Sequence, residues 1–185
     1  MTTTNIALIT GANKGIGYAT ARELAARGMT VLVGARDAGR GREAVAALRA
    51  GGADAHPVPL EVTDPASVAA AARIVNVSSE VGSITAMTGP ESFLWPVTSV
   101  PYPSSKTALN MVTAMYAKEL RDTPILVNAA NPGYCATDLN GSSGYRTPEQ
   151  GAEVSVHLAT LPADGPSGQL WGHLAADDSY GVLPW

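Results

Sequence analysis

One stretch near the start of the chain restricts the fold more than any other. Residues 5–10 have the pattern of a buried strand, and residues 10–17, Thr-Gly-Ala-Asn-Lys-Gly-Ile-Gly, lead directly into a helix over residues 15–27 that Gly28 ends. Glycine is favoured where a turn is tight or where a helix packs close to a strand. A strand, a glycine-rich turn and a helix in this order indicate the first unit of a parallel α/β sheet.

Strand and helix patterns alternate along the rest of the chain, which predicts an α/β fold with a mainly parallel sheet. The 185 residues suffice for one hydrophobic core. We therefore expect a single domain over residues 1–185. The further strands are expected at 30–35, 56–61, 73–77, 125–130 and 168–174, and the further helices at 40–50, after Asp64, at 104–120 and at 147–161. Between the strand 73–77 and about Pro101, the glycine, proline and serine residues predict a long loop. The helix at 104–120 has apolar residues on more than one side, so we expect it to be covered on two faces.

The charge and the cysteine content exclude several classes of function. The net charge is −4 and the isoelectric point is near 5.3, so we expect neither nucleic acid nor an anionic membrane as a partner. The N-terminal residues lack the pattern of a signal peptide, and Cys135 is the single cysteine. These features predict a cytoplasmic protein. The scattered histidines predict no metal site.

The glycine-rich turn is a candidate site for a dinucleotide. Gly11 would allow the tight turn, Gly15 the approach of a pyrophosphate, and Gly17 the close packing of the helix. The helix N-terminus would supply free N–H groups and a positive potential to the phosphates. A plain glycine-rich turn is the alternative. The residues expected to contact the cofactor here are Gly11, Asn13, Lys14, Gly15, Ile16 and Gly17.

The residue after the second strand bears on the choice of cofactor. A carboxylate at this position would bind the ribose 2′-hydroxyl of NAD. This chain has Arg36 instead, with Lys14 in the glycine loop, and two cations suit a 2′-phosphate. The pattern therefore favours NADPH, although both cations could be solvated surface charges and Asp37 lies next to Arg36. Glu61 and Val62, after the third strand, are expected to flank the adenine.

Tyr102 and Lys106 form a candidate acid–base pair. Their spacing of four residues places them one helical turn apart, so both can face the same side. A nearby ammonium is expected to lower the pKa of the phenol. Tyr102 could then donate a proton to a carbonyl oxygen, while Lys106 could also hydrogen-bond the nicotinamide ribose. Ser79, at the end of the strand 73–77, would hold the substrate oxygen. The alternative is that Tyr102 and Lys106 are surface residues without a catalytic role.

Several motifs together resemble the short-chain dehydrogenase/reductase family along nearly the whole chain. They are TGANKGIG, the strand ending in VNVSS, YPSSK and Asn-Pro-Gly-Tyr-Cys-Ala-Thr-Asp at residues 131–138. The C-terminal part looks most like the NADPH-dependent carbonyl reductases. The resemblance implies a Rossmann-like, doubly wound fold and a catalytic trio of Ser79, Tyr102 and Lys106, with Ser78 as the alternative serine. It also implies nicotinamide-side contacts from Pro132, Gly133 and Thr137.

The junction between residues 69–72 and residues 73–77 departs from the family pattern. The pattern of an alanine-rich helix runs into the pattern of a buried strand without the usual loop of about 2–6 residues. At this point the family has a fourth strand and a following helix, and this helix carries a further catalytic asparagine. We infer that these elements, on the order of 60 residues by the size of βαβ units, are absent from the sequence.

Three explanations of this junction stay open. Residues of the natural chain could be missing from the sequence as written, in which case Ala72 and Arg73 would not be covalent neighbours. The chain could carry a true deletion, with a sheet that closes up or takes a strand from a partner. The deletion could also leave a cofactor-binding remnant with little catalysis.

The sequence thus predicts an NADPH-dependent oxidoreductase that reduces a ketone, aldehyde or quinone to an alcohol. The alternative is a truncated, non-catalytic dinucleotide-binding protein. The expected partner is a small carbonyl or alcohol substrate, and the apolar residues of the segment 87–96 could form a wall of its pocket. The sequence does not decide whether the chain forms a homo-oligomer. Members of the family often form dimers through the helix 104–120, whereas carbonyl reductases with long loops tend to be monomers.

Overall fold

The computed structural model describes residues 6–59 and 73–185. Their contacts divide the chain into two compact units, which are described separately. The first unit contains the described residues 6–59 and 135–156, and the second contains residues 73–134 and 157–185. Glu61, Val62, the helix expected after Asp64 and the junction at Ala72 lie outside the described residues.

The first unit contains three parallel strands in the order β1-β2-β3. Val31 and Val33 of β2 are fully buried, in keeping with a central parallel strand that is covered on both faces. Leu24 and Leu48, one from each helix, are also buried. The elements are β1 (Ile6–Thr10), α1 (Gly15–Ala26), β2 (Thr30–Ala35), α2 (Ala38–Ala50) and β3 (Ala55–Pro59).

The second unit contains a four-stranded sheet in the order β4-β5-β6-β7. β4, β5 and β6 are parallel, and β7 pairs antiparallel with β6. The elements are β4 (Arg73–Val77), α3 (Ile84–Thr88), α4 (Pro101–Glu119), β5 (Leu126–Asn131), β6 (Leu170–Leu174) and β7 (Ser179–Leu183). A short 3₁₀ turn of this unit covers Glu80–Gly82. A second 3₁₀ turn, Asp138–Asn140, belongs to the first unit, as do residues 148–156 of the last helix, α5 (Pro148–Ala159).

Two expectations about the region after β4 are wrong. The segment before residue 101 is not only a loop, since it contains the Glu80–Gly82 turn and α3. Both begin at a serine whose hydroxyl accepts a backbone N–H, Ser79 for the turn and Ser83 for α3. Serine is common in loops and is also a good helix cap, so the sequence pattern alone does not distinguish the two.

The expectation that α4 is covered on two faces is also wrong. Its buried side includes Asn110, Thr113 and Ala117, whereas Met111 and Met115 are 63% and 53% exposed. The helix starts at Pro101, three residues before the predicted start, so Tyr102 lies in its first turn. Pro101 and Pro103 are tolerated there because the first N–H groups of a helix have no intrahelical partner.

The described strands do not form one continuous sheet. β1 is an edge strand of the first sheet and β4 is an edge strand of the second. In a doubly wound sheet with the order 3-2-1-4-5-6, the missing fourth strand would lie beside the first. The break in pairing therefore falls where the sequence predicts that a strand is absent. Within residues 6–59 and 73–185, no helix is both long and apolar enough to cross a bilayer.

Candidate active site

The glycine loop in the first unit has the backbone that the sequence predicts. Gly11 and Gly15 have φ values of +63° and +57°, which side chains other than glycine rarely adopt. A Cβ atom on Gly17 would lie 2.7 Å from the Gly11 carbonyl oxygen. The Ala12 N–H donates to the Gly34 carbonyl at 3.2 Å and ties the turn to the end of β2. Each of the three glycines is thus required by local geometry.

This loop fits the phosphates of a dinucleotide. α1 begins at Gly15, and the side chain of its N-cap residue, Lys14, makes no capping hydrogen bond. The first N–H groups of a helix have no partner within the helix, so they are donors for an anion. When bound, a nicotinamide dinucleotide would supply or accept the hydride. Asn13 and Ile16 flank the same turn.

Lys14 and Thr137 connect the glycine loop to the 131–138 motif. The Lys14 ammonium donates to the Asp138 carboxylate at 2.9 Å, and this hydrogen bond lowers the pKa of Asp138. Both side chains are more than 60% exposed, so the pair is weak and a phosphate could compete for the lysine. A Cβ atom on Gly15 would lie 3.7 Å from the Thr137 methyl group. Thr137 thus lies beside the predicted pyrophosphate site.

Arg36 is an exposed side chain directly after β2. Its neighbour Asp37 is the N-cap of α2 and accepts the Arg40 N–H at 2.9 Å. This hydrogen bond is the main reason that the pKa of Asp37 is lowered. The carboxylate that complicated the choice of cofactor therefore has a structural role at the start of a helix.

In the second unit, Ser79, Tyr102 and Lys106 lie together where β4 ends beside the first turns of α4. The Ser79 hydroxyl lies close enough to the Tyr102 hydroxyl to influence its pKa. The Lys106 ammonium lies 5.6 Å from the centre of the Tyr102 ring and donates to the Val77 carbonyl at 2.9 Å. A Cβ atom on Gly82 would lie 2.8 Å from the Lys106 Cβ, so glycine allows this close approach.

The expected effect of Lys106 on Tyr102 is wrong in this structure. Burial raises the pKa of Tyr102 above its ordinary value, and the neighbouring Ser79 hydroxyl acts in the opposite direction. Burial also lowers the pKa of Lys106. The ammonium lies over the ring and is bound to a backbone carbonyl, an arrangement that the four-residue spacing does not predict. A phenol is protonated at neutral pH with or without this shift, so Tyr102 holds a proton that it could donate, although the raised pKa makes it a weaker acid than a free phenol.

Some contributors to the site were not singled out from the sequence. Asn131 is 1% exposed, and its side-chain oxygen accepts the N–H groups of Glu80 at 3.1 Å and of Gly133 at 3.4 Å. It thus holds the segment after Ser79 and the Pro132–Gly133 turn. Asn110 accepts a hydrogen bond from Ser78. An asparagine in a strand or helix that is otherwise apolar was the available signal for such roles.

The structure divides the predicted site residues between the two units. Those in the first unit are Gly11, Asn13, Lys14, Gly15, Ile16, Gly17, Arg36 and Thr137, and those in the second are Ser79, Tyr102, Lys106, Pro132 and Gly133. Their roles in binding and catalysis stay predictions.

The sequence pattern of the family described as short chain dehydrogenase matches residues 5–76 and, separately, residues 69–147. The short-chain dehydrogenase anuI of Penicillium roqueforti (strain FM164) is 28% identical over 241 positions, which cover 94% of each chain. Carbonyl reductase [NADPH] 1 of Rattus norvegicus is 27% identical over 265 positions, which cover 89% of this chain and 95% of that protein. The solved structure of salutaridine reductase from Papaver somniferum has a TM-score of 0.75 at 21% identity and covers 90% of this chain and 99% of that chain.

These comparisons agree with the predicted absence of an internal segment. The alignment with the P. roqueforti protein has 241 positions, although this chain has only 185 residues, so at least 56 positions of the relative have no counterpart here. The two family matches meet at residues 69–76, which contain the unusual junction. The predicted fold class, α/β and Rossmann-like, is confirmed by the family and by the structural likeness. The chain belongs to the short-chain dehydrogenase family.

Proposed function

We propose that this protein is an NADPH-dependent carbonyl reductase. The observation that carries the proposal is the cluster of Ser79, Tyr102 and Lys106, in which the Lys106 ammonium lies 5.6 Å from the centre of the Tyr102 ring and Ser79 lies beside the phenol. Relatives named as carbonyl reductases support this class of reaction. A ketone, an aldehyde or a quinone is the proposed class of substrate, and we propose a cytoplasmic enzyme without a nucleic-acid or membrane partner.

Each residue of the cluster has a separate role in the proposed reaction. Ser79 donates a hydrogen bond to the carbonyl oxygen and orients it. Tyr102 transfers its proton to this oxygen as the carbonyl carbon accepts hydride. Lys106, one helical turn from Tyr102, is proposed to hydrogen-bond the nicotinamide ribose of the cofactor. Pro132, Gly133 and Thr137 are proposed to contact the nicotinamide side of the cofactor.

NADPH is the proposed cofactor because of Arg36 and Lys14. Arg36 is exposed at the end of β2, and its neighbouring carboxylate is engaged at the start of α2. Lys14 forms a weak surface ion pair with Asp138, from which a phosphate could displace it. The names of the carbonyl reductase relatives include NADPH, which supports the same choice.

The test is the consumption of NADPH with a panel of ketones, aldehydes and quinones. Replacing the general acid, Tyr102→Phe, is expected to lower the rate by about 10²–10⁴-fold. Tyr116→Phe is the matched control, since Tyr116 lies on the same helix and both tyrosines are 45% exposed. Equal activity of the wild type and of Tyr102→Phe would contradict the assigned role.

The second candidate is a dinucleotide-binding protein without catalytic activity. The separation of the described strands into two sheets favours this candidate. A second argument is that the family helix with a further catalytic asparagine belongs to the absent segment. Binding of NADPH, measured by calorimetry, without turnover of any carbonyl in the panel would support this candidate over the reductase.

A further inference from the structure

Three consecutive residues at the end of β4 contact α4 at positions four residues apart. The Val77 carbonyl accepts a hydrogen bond from the Lys106 ammonium at 2.9 Å, and the Ser78 hydroxyl donates to the Asn110 side-chain oxygen at 2.5 Å. The Ser79 hydroxyl lies near the Tyr102 hydroxyl. Residues four apart lie on one face of a helix. The row 102, 106 and 110 therefore extends one helical turn beyond the proposed catalytic pair, and its third member is an asparagine.

The contact between Ser78 and Asn110 is the buried member of this row. Ser78 is 2% exposed and Asn110 is 3% exposed. A hydrogen bond in such surroundings is stronger than one in water because no solvent competes for it. The Ser78 N–H also donates to the Ala130 carbonyl at 2.8 Å. Ser78 is thus fixed through its backbone to β5 and through its side chain to α4, directly before Ser79.

Asn110 is a poor choice for stability alone. Its side-chain nitrogen is buried and has no hydrogen-bond partner among the described residues. A buried polar group without a partner is destabilising, and an apolar side chain of similar size would avoid that cost. Residues that lower stability in this way are expected at functional sites.

We propose that Asn110 is a positioning residue: its hydrogen bond with Ser78 fixes the end of β4, so that the Ser79 hydroxyl is held against Tyr102. The catalytic meaning of this placement rests on the proposed reductase function. The geometric claim, that Asn110 controls the contact between Ser79 and Tyr102, can be tested without any activity.

A second hydrogen bond between β4 and α4, which is partly buried, supplies a control. The Asn76 side-chain nitrogen donates to the Thr113 hydroxyl at 2.9 Å, and Thr113 is fully buried. This bond joins the same two elements three residues farther along α4. If Asn110 only stabilises the packing of β4 on α4, then Thr113→Val should have the same effects as Asn110→Leu.

The experiment compares Asn110→Leu, Ser78→Ala, Thr113→Val and Ser79→Ala in the full chain. The first readouts are kcat and KM for a reactive carbonyl and the Kd of NADPH. Asn110→Leu is expected to lower kcat by about tenfold to a hundredfold, as for a misplaced catalytic group, and to leave the Kd of NADPH unchanged. Ser78→Ala removes the same hydrogen bond from its other end and should have a similar effect, which keeps the test valid if Asn110→Leu does not fold.

The second readout is the titration of Tyr102, followed by NMR in chains with labelled tyrosine rings and assigned with Tyr102→Phe. Since the neighbouring Ser79 hydroxyl acts to lower the pKa of Tyr102, Ser79→Ala and Asn110→Leu should both raise this pKa. The double variant should resemble Ser79→Ala alone, because both changes remove the same contact.

The proposal is overturned if Asn110→Leu and Ser78→Ala leave the Tyr102 titration unchanged, or if Thr113→Val shifts it equally. A wild type that reduces no carbonyl would contradict the proposed function, whereas the NMR titration would still confirm or overturn the placement of Ser79 by Asn110.

Discussion

Glu80 places a half-buried carboxyl group directly after Ser79. Its N–H donates to the Asn131 side chain, and burial raises the pKa of its carboxyl above 4.5, while a hydrogen bond from the Ala175 N–H acts in the opposite direction. The folded chain therefore binds this proton more readily than the unfolded chain does. The corresponding part of the free energy of unfolding is present below pH 4.5 and is lost as the pH rises through the higher value of the folded state.

Glu80→Gln should remove this dependence, because an amide does not titrate. We expect the variant to gain stability relative to the wild type as the pH rises from below 4.5 to neutral. Urea unfolding at both pH values measures the difference. Glu119→Gln, which removes the charge of an exposed glutamate on α4, is the control. The same pH trend in both variants would contradict the argument from burial.

Arg36 is the residue on which the choice of cofactor depends. If its guanidinium binds the 2′-phosphate, then Arg36→Ala should weaken NADPH binding by about 1.5–3 kcal/mol, the usual contribution of a charged hydrogen bond. NADH, which lacks this phosphate, should bind as before. Calorimetric titration with both cofactors checks this, with Arg42→Ala on the exposed side of α2 as the control. An equal loss for NADH would show that Arg36 has another role.

At the scale of residues, the sequence predicted which groups meet but not how the protein alters them. The spacing of Tyr102 and Lys106 predicted their proximity, and the Lys106 ammonium lies 5.6 Å from the centre of the Tyr102 ring. The direction of the Tyr102 pKa shift depends on burial and on the exact position of the ammonium. Neither quantity has a local pattern in the sequence, because both depend on how β4 and α4 pack.

At the scale of elements, β4 has the sequence pattern of a buried strand but lies at the edge of the second sheet. Its residues are only partly buried, whereas all six residues of β5 are buried. Alternate residues of a strand direct their backbone groups to opposite sides. Since the Ser78 N–H bonds to β5, the backbone groups of Val75 and Val77 point to the other edge. The Val77 carbonyl binds Lys106 from that side.

Hydrogen exchange should report this edge directly. The amide of Asn76 faces β5, whereas that of Val75 faces an edge on which no described strand pairs. We expect the Val75 amide to exchange at least about a hundredfold faster than the Asn76 amide, as measured by NMR. The two residues are neighbours, so each serves as the other's control. Equal protection would mean that another strand covers this edge.

The elements differed in how well the sequence predicted them. β2 and β4 have the predicted bounds, because a short run of β-branched residues between turn signals defines a strand. β7 was not predicted. Its alternation of exposed and partly buried residues is typical of an antiparallel edge strand. The pairing of β7 with β6 depends on tertiary structure. The sequence signal used for the other strands, a continuous apolar run, does not indicate it.

At the scale of the whole molecule, the absent segment is the dominant feature. The order of the described elements follows the family, and the location of the absence was predicted from one junction, because a helix cannot pass directly into a strand. The consequence for the sheet was not predicted in detail. The described strands form two sheets, each with an edge that a complete family member would pair with the fourth strand.

This division predicts that the chain does not unfold in a single step. Cooperative unfolding of a small domain depends on contacts throughout one core, and a sheet that is interrupted transmits less of that cooperativity. Each unit contains its own natural reporter. The single cysteine, Cys135, is 5% exposed and lies in the first unit, whereas Trp95, Trp171 and Trp185 all lie in the second.

We expect the two reporters to give different midpoints when urea is increased. Cys135 should react with a thiol reagent only when the first unit opens, because burial both shields the thiol and raises its pKa. Tryptophan fluorescence should follow the second unit. The thiol reaction of a fully unfolded sample gives the reference rate, and Cys135→Ser checks that fluorescence is unaffected by the label. Coincident midpoints, with equal dependence on urea, would show that the two units unfold as one despite the interrupted sheet.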